Sequence, residues 1–139
     1  MRDIMKCEFS AKSANEYFAR IVVASFVAKM DPTVEELAEI KTAVSEAVTN
    51  VIIHGYKGKN GTVYIECEIR GNVLTVIITD KGEGIADIPL ARTPMFTTNP
   101  DGERSGMGFT VMETFMDEVS LASLPGAGTS VLMRKKLKS

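Results

Sequence analysis

The sequence predicts an α+β fold, a two-layer sandwich with helices on one face of a mixed, mostly antiparallel sheet. Three observations point there. Strand-like alternation comes in hairpin pairs rather than in βαβ units, and two helix starts carry a Ser/Thr-x-x-Glu signature ahead of apolar residues at helical spacing. Apolar residues make up 45% of the 139, against 24% charged, which is enough for one buried core.

Residues 4–9 alternate apolar and polar side chains, as a short half-buried strand does. Ser13 and Glu16 are spaced as a capping box, and Phe18, Ile21, Val22, Ser25 and Phe26 recur at helical spacing until Asp31-Pro32 stops the helix. Thr33 and Glu36 repeat the box. Behind them Leu37, Ile40, Val44, Val48 and Val51 form a second stripe that ends at Gly55.

From 62 to 70, Val63, Ile65, Cys67 and Ile69 alternate with Thr62, Tyr64, Glu66 and Glu68. Gly71-Asn72 is a two-residue turn, and Leu74, Val76 and Ile78 complete an antiparallel hairpin up to Asp80. Periodicity is then lost over 81–105, where Gly82, Gly84, Pro89, Pro94, Pro100 and Gly102 accumulate; so long an irregular segment in a compact domain serves as a lid or binding loop. A helix over 106–116 and a hairpin joining 119–123 to 129–136 around Pro125-Gly126-Ala127-Gly128 close the chain. No repeat or linker interrupts it, so one domain over 1–139 is expected.

The net charge of −2 leaves no footprint for a polyanion. The basic run at 134–138 reads as a solvated last strand with a frayed end, and no nucleic-acid partner is expected. Cys7 and Cys67 lie in alternating segments without CxxC spacing, which predicts reduced core thiols. No segment reaches the about 20 apolar residues that span a bilayer, and the start lacks a signal-peptide core; a cytoplasmic protein without a membrane partner is expected.

Three constellations could carry chemistry. Glu46 and Asn50 are four residues apart on the second helix and therefore share a face, where a carboxylate can take a proton and a carboxamide oxygen can ligate Mg²⁺. Taken alone, such a pair is more often the wet side of an amphipathic helix. Asp80-Lys81-Gly82-Glu83-Gly84 ends an apolar strand in an acid followed by two glycines, which suits an acceptor for an exocyclic amine with the backbone close to a ligand; alone it is more often a turn. Ser105-Gly106-Met107-Gly108 opens a helix whose unpaired amides suit phosphate, with Arg104 just before it. No GxxxxGK[ST] or GxGxxG run exists, and His54, the one histidine, reads as a helix cap rather than a member of a triad or metal cluster.

In chain order these pieces resemble the GHKL (Bergerat-fold) ATP-binding family: an N box at 46–50, a first glycine box at 80–84, a lid at about 86–105, a second glycine box at 106–108, and a final Gly128-Thr129. Within it, the stretches 45–50, 53–56, 96–98 and 103–109 look like the bacterial anti-sigma factor serine kinases, sporulation members most of all. The resemblance implies a homodimer that binds ATP and Mg²⁺, holds a sigma factor inactive, and phosphorylates a serine of an anti-anti-sigma protein.

Carried over by position, Glu46 is the general base, Asn50 the Mg²⁺ ligand and Asp80 the adenine acceptor. Gly82, Gly84, Gly106 and Gly108 shape the pocket with Ser105, Met107 and Thr129, and Arg104 sits at the γ-phosphate. Thr97 and Thr98 belong to the lid. Arg20, exposed on the first helix, corresponds to a partner-contacting arginine. The turn at 57–61 is assigned nothing. A general-stress anti-sigma kinase and an ATP-gated sigma-binding module without transferase activity are the alternatives, Glu46 counting against the second. A sensor histidine kinase would need a phosphoacceptor helix before the motif helix.

Overall fold

The computed structural model describes residues 2–56, 60–82, 105–124 and 128–138. Within them five strands make one sheet: β1 (Arg2–Ser10), β2 (Thr62–Arg70), β3 (Val73–Asp80), β4 (Glu118–Leu124) and β5 (Gly128–Lys136). Their order is β1-β2-β3-β5-β4, and every described pairing is antiparallel. The hairpin register follows the alternation, with Cys67 opposite Val76 and Ile65 opposite Ile78, and Gly71 supplies the φ of 61° that the turn needs.

Three helices pack on this sheet: α1 (Ala14–Val27), α2 (Val34–Asn50) and α3 (Ser105–Phe115). One face of the sheet turns Val63, Ile65, Cys67, Ile69, Leu74, Val76 and Ile78 into the core, where they meet Ala19, Val23, Ile40, Val44, Val48 and Met112. Helix α2 packs against both other helices. Its start is a complete capping box: the Thr33 hydroxyl accepts from the Glu36 amide at 3.0 Å, and the Glu36 carboxylate accepts from the Thr33 amide at 2.9 Å.

Two expectations for α1 are corrected. Ser13 is helical (φ −52°, ψ −37°) and makes no side-chain cap bond, the Glu16 amide donating to the Ser13 carbonyl at 3.2 Å, while the Glu16 carboxylate serves the Ser45 hydroxyl and Arg20. The buried stripe is Ala19, Val23, Phe26 and Val27, whereas Phe18 and Ile21 stay 46% and 40% exposed and Ser25 faces out. The helix tightens into a 3₁₀ turn at Ala28–Met30 and stops at left-handed Asp31, φ 53°.

The basic C-terminal run is not a frayed end either. Lys135 is buried, donates to the Phe115 carbonyl at 2.6 Å and pairs with Glu39 at 3.3 Å, so it caps the end of α3 and ties it to α2. The Lys138 amide donates to the second oxygen of Glu36 at 2.9 Å. Both cysteines are free, and burial, aided by Cys7 and Glu66, pushes the Cys67 thiol up to about 12.

Candidate functional site

Helix α2 is locked in rotation by Ala43, Val44, Ala47 and Val48, all fully buried. That leaves Glu46 and Asn50 on one adjoining face, and α3 lies across it. A Cβ built on Gly108 would stand 2.9 Å from Asn50 Nδ2, 3.2 Å from Glu46 Oε2 and 3.4 Å from Asn50 Oδ1. Carboxylate, carboxamide and the glycine-opened helix mouth therefore meet in one place.

Both polar atoms of the Asn50 carboxamide are shielded from solvent and find no hydrogen-bond partner among the described residues. Leaving such a group unpaired costs a folded protein about 1–3 kcal/mol, which singles out this carboxamide among the described residues as one with hydrogen-bonding capacity to spare. Its oxygen is a hard ligand fit for Mg²⁺. No group of three His, Cys, Asp or Glu that could hold a metal exists among the described residues.

A second cluster forms where α2 runs out. After Asn50 the helix widens into a π turn, Val51–Gly55, closed by the Tyr56 amide on the Val51 carbonyl at 3.0 Å. The π turn presses Gly55 against Asp80, whose Oδ2 would lie 2.8 Å from a Cβ there. Gly82 sits directly on Gly55, its would-be Cβ 1.8 Å from the Gly55 oxygen. Gly128, at φ 101°, passes the Asp80 main chain so closely that a Cβ would come within 2.1 Å of its carbonyl oxygen.

Asp80 is thus walled by glycines and 3% exposed. Burial pushes its pKa up, opposed by hydrogen bonds from the backbone amides of Gly82, at 2.8 Å, and Thr129. A buried carboxylate with spare lone pairs and glycine approaches is an acceptor prepared for an N–H donor. The Tyr56 hydroxyl closes the cluster from behind, donating to the Thr62 carbonyl at 2.6 Å and accepting from the Lys81 amide at 2.9 Å.

Of the residues singled out in the sequence, Glu46, Asn50 and Gly108 come together at one cluster and Asp80, Gly82 and Thr129 at the other. Ser105, Gly106 and Met107 form the first turn of α3. Arg20 is less open than expected: its side chain is 33% exposed, lies 3.4 Å from Glu16 Oε2 and places its guanidinium 5.1 Å from the Tyr17 ring centroid. Gly84, Thr97, Thr98 and Arg104, with the expected lid over 86–104, lie outside the described residues. Sequence reasoning passed over Gly55 as a helix stop and gave Tyr56 no role; the one signal available was a Gly-Tyr pair directly after a long helix.

A family model described as a histidine kinase-like ATPase domain matches residues 9–135. The anti-sigma F factor of Clostridium novyi is 57% identical over 136 residues, 97% of this chain and 95% of that protein. That of Bacillus subtilis is 56% identical over 138 residues, 99% and 94% of the two chains. Among solved structures, the RsbU and RsbW domains of a Mycobacterium tuberculosis protein superpose with a TM-score of 0.71 at 17% identity, covering 97% of this chain and 32% of that one. The catalytic domain of the histidine kinase ThkA gives 0.60 at 15% identity, covering 96% of each chain. These last two likenesses bear on the fold.

Proposed function

The chain belongs to the anti-sigma F factor family of histidine kinase-like ATPase domains, and on that premise we propose that it binds ATP with Mg²⁺, holds a sporulation sigma factor inactive, and phosphorylates a serine of an anti-anti-sigma protein. The observation that carries the catalytic half is the meeting of Glu46, Gly108 and the Asn50 carboxamide, which is unpartnered among the described residues. Sigma-factor binding rests on the names of the relatives, and the homodimer and cytoplasmic setting on the resemblance.

In this assignment Asp80 accepts the exocyclic amine of adenine, Thr129 and the glycines Gly55, Gly82 and Gly128 keep the slot narrow, and the first turn of α3 receives the phosphates. Asn50 offers its oxygen to Mg²⁺, which when bound supplies charge neutralisation at the phosphates. Glu46 takes the proton of the incoming serine hydroxyl as the serine oxygen forms its bond to the γ-phosphorus, and the bond from that phosphorus to the β,γ-bridging oxygen breaks, leaving ADP. Positioning and electrostatics do most of the work in such transfers. Arg104, Thr97 and Thr98 are proposed from the resemblance to act at the γ-phosphate and in the lid, and Arg20 at a partner.

The test is label transfer from γ-labelled ATP, with Mg²⁺, to an anti-anti-sigma protein with and without its acceptor serine. Label on the serine-bearing partner alone is expected. Glu46→Gln should lower that transfer by about 100-fold or more and leave nucleotide affinity within about threefold, as befits a general base. Tight ATP binding with no transfer to any such partner would leave a nucleotide-gated binding module in place of a kinase.

A further inference from the structure

The Tyr56 phenol is doubly used inside the protein. Its proton goes to the Thr62 carbonyl at 2.6 Å, and its oxygen receives the Lys81 amide at 2.9 Å. The next amide, of Gly82, is spent on Asp80 Oδ1 at 2.8 Å. Two consecutive amides of the Asp80-Lys81-Gly82 turn are therefore tied in different directions, and rotating the peptide plane at either would leave a donor unpaired.

The phenol itself is fixed in place. Gly61 lies flat against the ring, where a Cβ would stand 2.4 Å from Cδ1, and the Tyr56 amide closes the π turn on Val51. That turn is what seats Gly55 between Asp80 and Gly82. The Lys81 ammonium lies 5.0 Å from the Tyr64 ring centroid, so its backbone, rather than its side chain, is what the Tyr56 hydroxyl holds.

We propose that Tyr56 is a positioning residue for recognition of the nucleotide base, holding the turn after β3 in the shape that presents the Asp80 carboxylate to an exocyclic amine. Its donor is already committed, so it acts through the turn and not by touching the base. This rests on the assignment of Asp80 as the base acceptor given above. Removing the hydroxyl should loosen the discrimination for adenine rather than nucleotide binding in general.

The experiment measures ADP and IDP binding by calorimetry to the full chain as wild type, Tyr56→Phe and Asp80→Asn. IDP carries a carbonyl where ADP carries the amine. Wild type should prefer ADP by about tenfold or more, and Tyr56→Phe should weaken ADP by about 3- to 10-fold while IDP changes less than about twofold. In the transfer assay the loss should appear in KM for ATP and not in kcat. Equal weakening of ADP and IDP, or no change in either, overturns the proposal.

A preference lost in Asp80→Asn but intact in Tyr56→Phe overturns Tyr56 alone. No preference in wild type, or one that survives Asp80→Asn, removes Asp80 as the acceptor and the proposal with it. Independently of any variant, the Lys81 amide should be protected from hydrogen exchange in nucleotide-free wild type; free exchange there overturns the proposal.

Discussion

Gly108 and Asn50 face each other so closely across α2 and α3 that a single added carbon at Gly108 would come within 2.9 Å of the Asn50 amide nitrogen. That atom is the far end of a side chain, so Gly108→Ala displaces the carboxamide rather than the helix. Alanine also gains up to about 1 kcal/mol of helix propensity over glycine. The variant should keep its melting temperature within a few degrees and bind ADP with Mg²⁺ about tenfold or more weaker, read by calorimetry. Unchanged affinity would remove Asn50 from the nucleotide site.

Gly82→Ala should behave in the opposite manner, because its clash is with backbone. A Cβ there would lie 1.8 Å from the Gly55 oxygen, and neither chain can retreat, Gly55 being pinned against Asp80. A loss of about 1–3 kcal/mol in unfolding free energy is expected, as for other overpacked sites. The rise in melting temperature on adding ADP should vanish with it. A variant as stable as wild type would show that the π turn and the strand end are not rigidly packed.

Two buried carboxyls should give opposite pH slopes. The Thr33 amide first, then the Lys138 amide, hold Glu36 below its ordinary 4.5 against the pull of burial. With the folded value depressed, its stabilisation is present above the unfolded value and is lost as pH falls below about 4.5. Burial holds Asp80 above its ordinary 3.8, so charging it costs stability at neutral pH, a cost relieved as pH falls toward 3.8. Glu36→Gln should therefore cost about 1–3 kcal/mol at pH 7 and progressively less below 4.5. Asp80→Asn should raise nucleotide-free stability at pH 7, with the gain shrinking toward pH 4. Urea titrations from pH 3.5 to 7 read both, and parallel curves for either pair would contradict the assigned shift.

The elements were legible wherever one periodicity dominates. The 62–80 hairpin and the α2 stripe are found where the alternation and the 3.6-residue spacing put them, because each has one wet and one buried face. Helix α1 misleads because Phe18 and Ile21 continue an apolar pattern that the core does not bury, Phe18 meeting only the edge of the sheet at Phe9, so spacing alone selects the wrong face. Glu46, Asn50 and Gly108 were legible as separate motifs. Their convergence, and the roles of Gly55 and Tyr56, depend on a π turn that one extra residue per turn creates and no composition signals.

The two capping boxes look alike in sequence, and the structure separates them. Thr33 has the extended N-cap backbone, φ −69° and ψ 162°, and exchanges both bonds with Glu36. Ser13 is already helical, and its supposed partner Glu16 serves Ser45 and Arg20. Thr33→Ala removes the acceptor for the Glu36 amide at the start of the helix that carries Glu46 and Asn50, and should cost about 1 kcal/mol, or about 3 °C in melting temperature for a chain of this size. Ser13→Ala removes no cap bond and should stay within about 0.5 kcal/mol of wild type. Calorimetric melting of the two variants side by side decides it: equal losses would mean that Ser13 caps α1 in solution, and no loss at Thr33 would mean that the box adds nothing beyond the packing of α2.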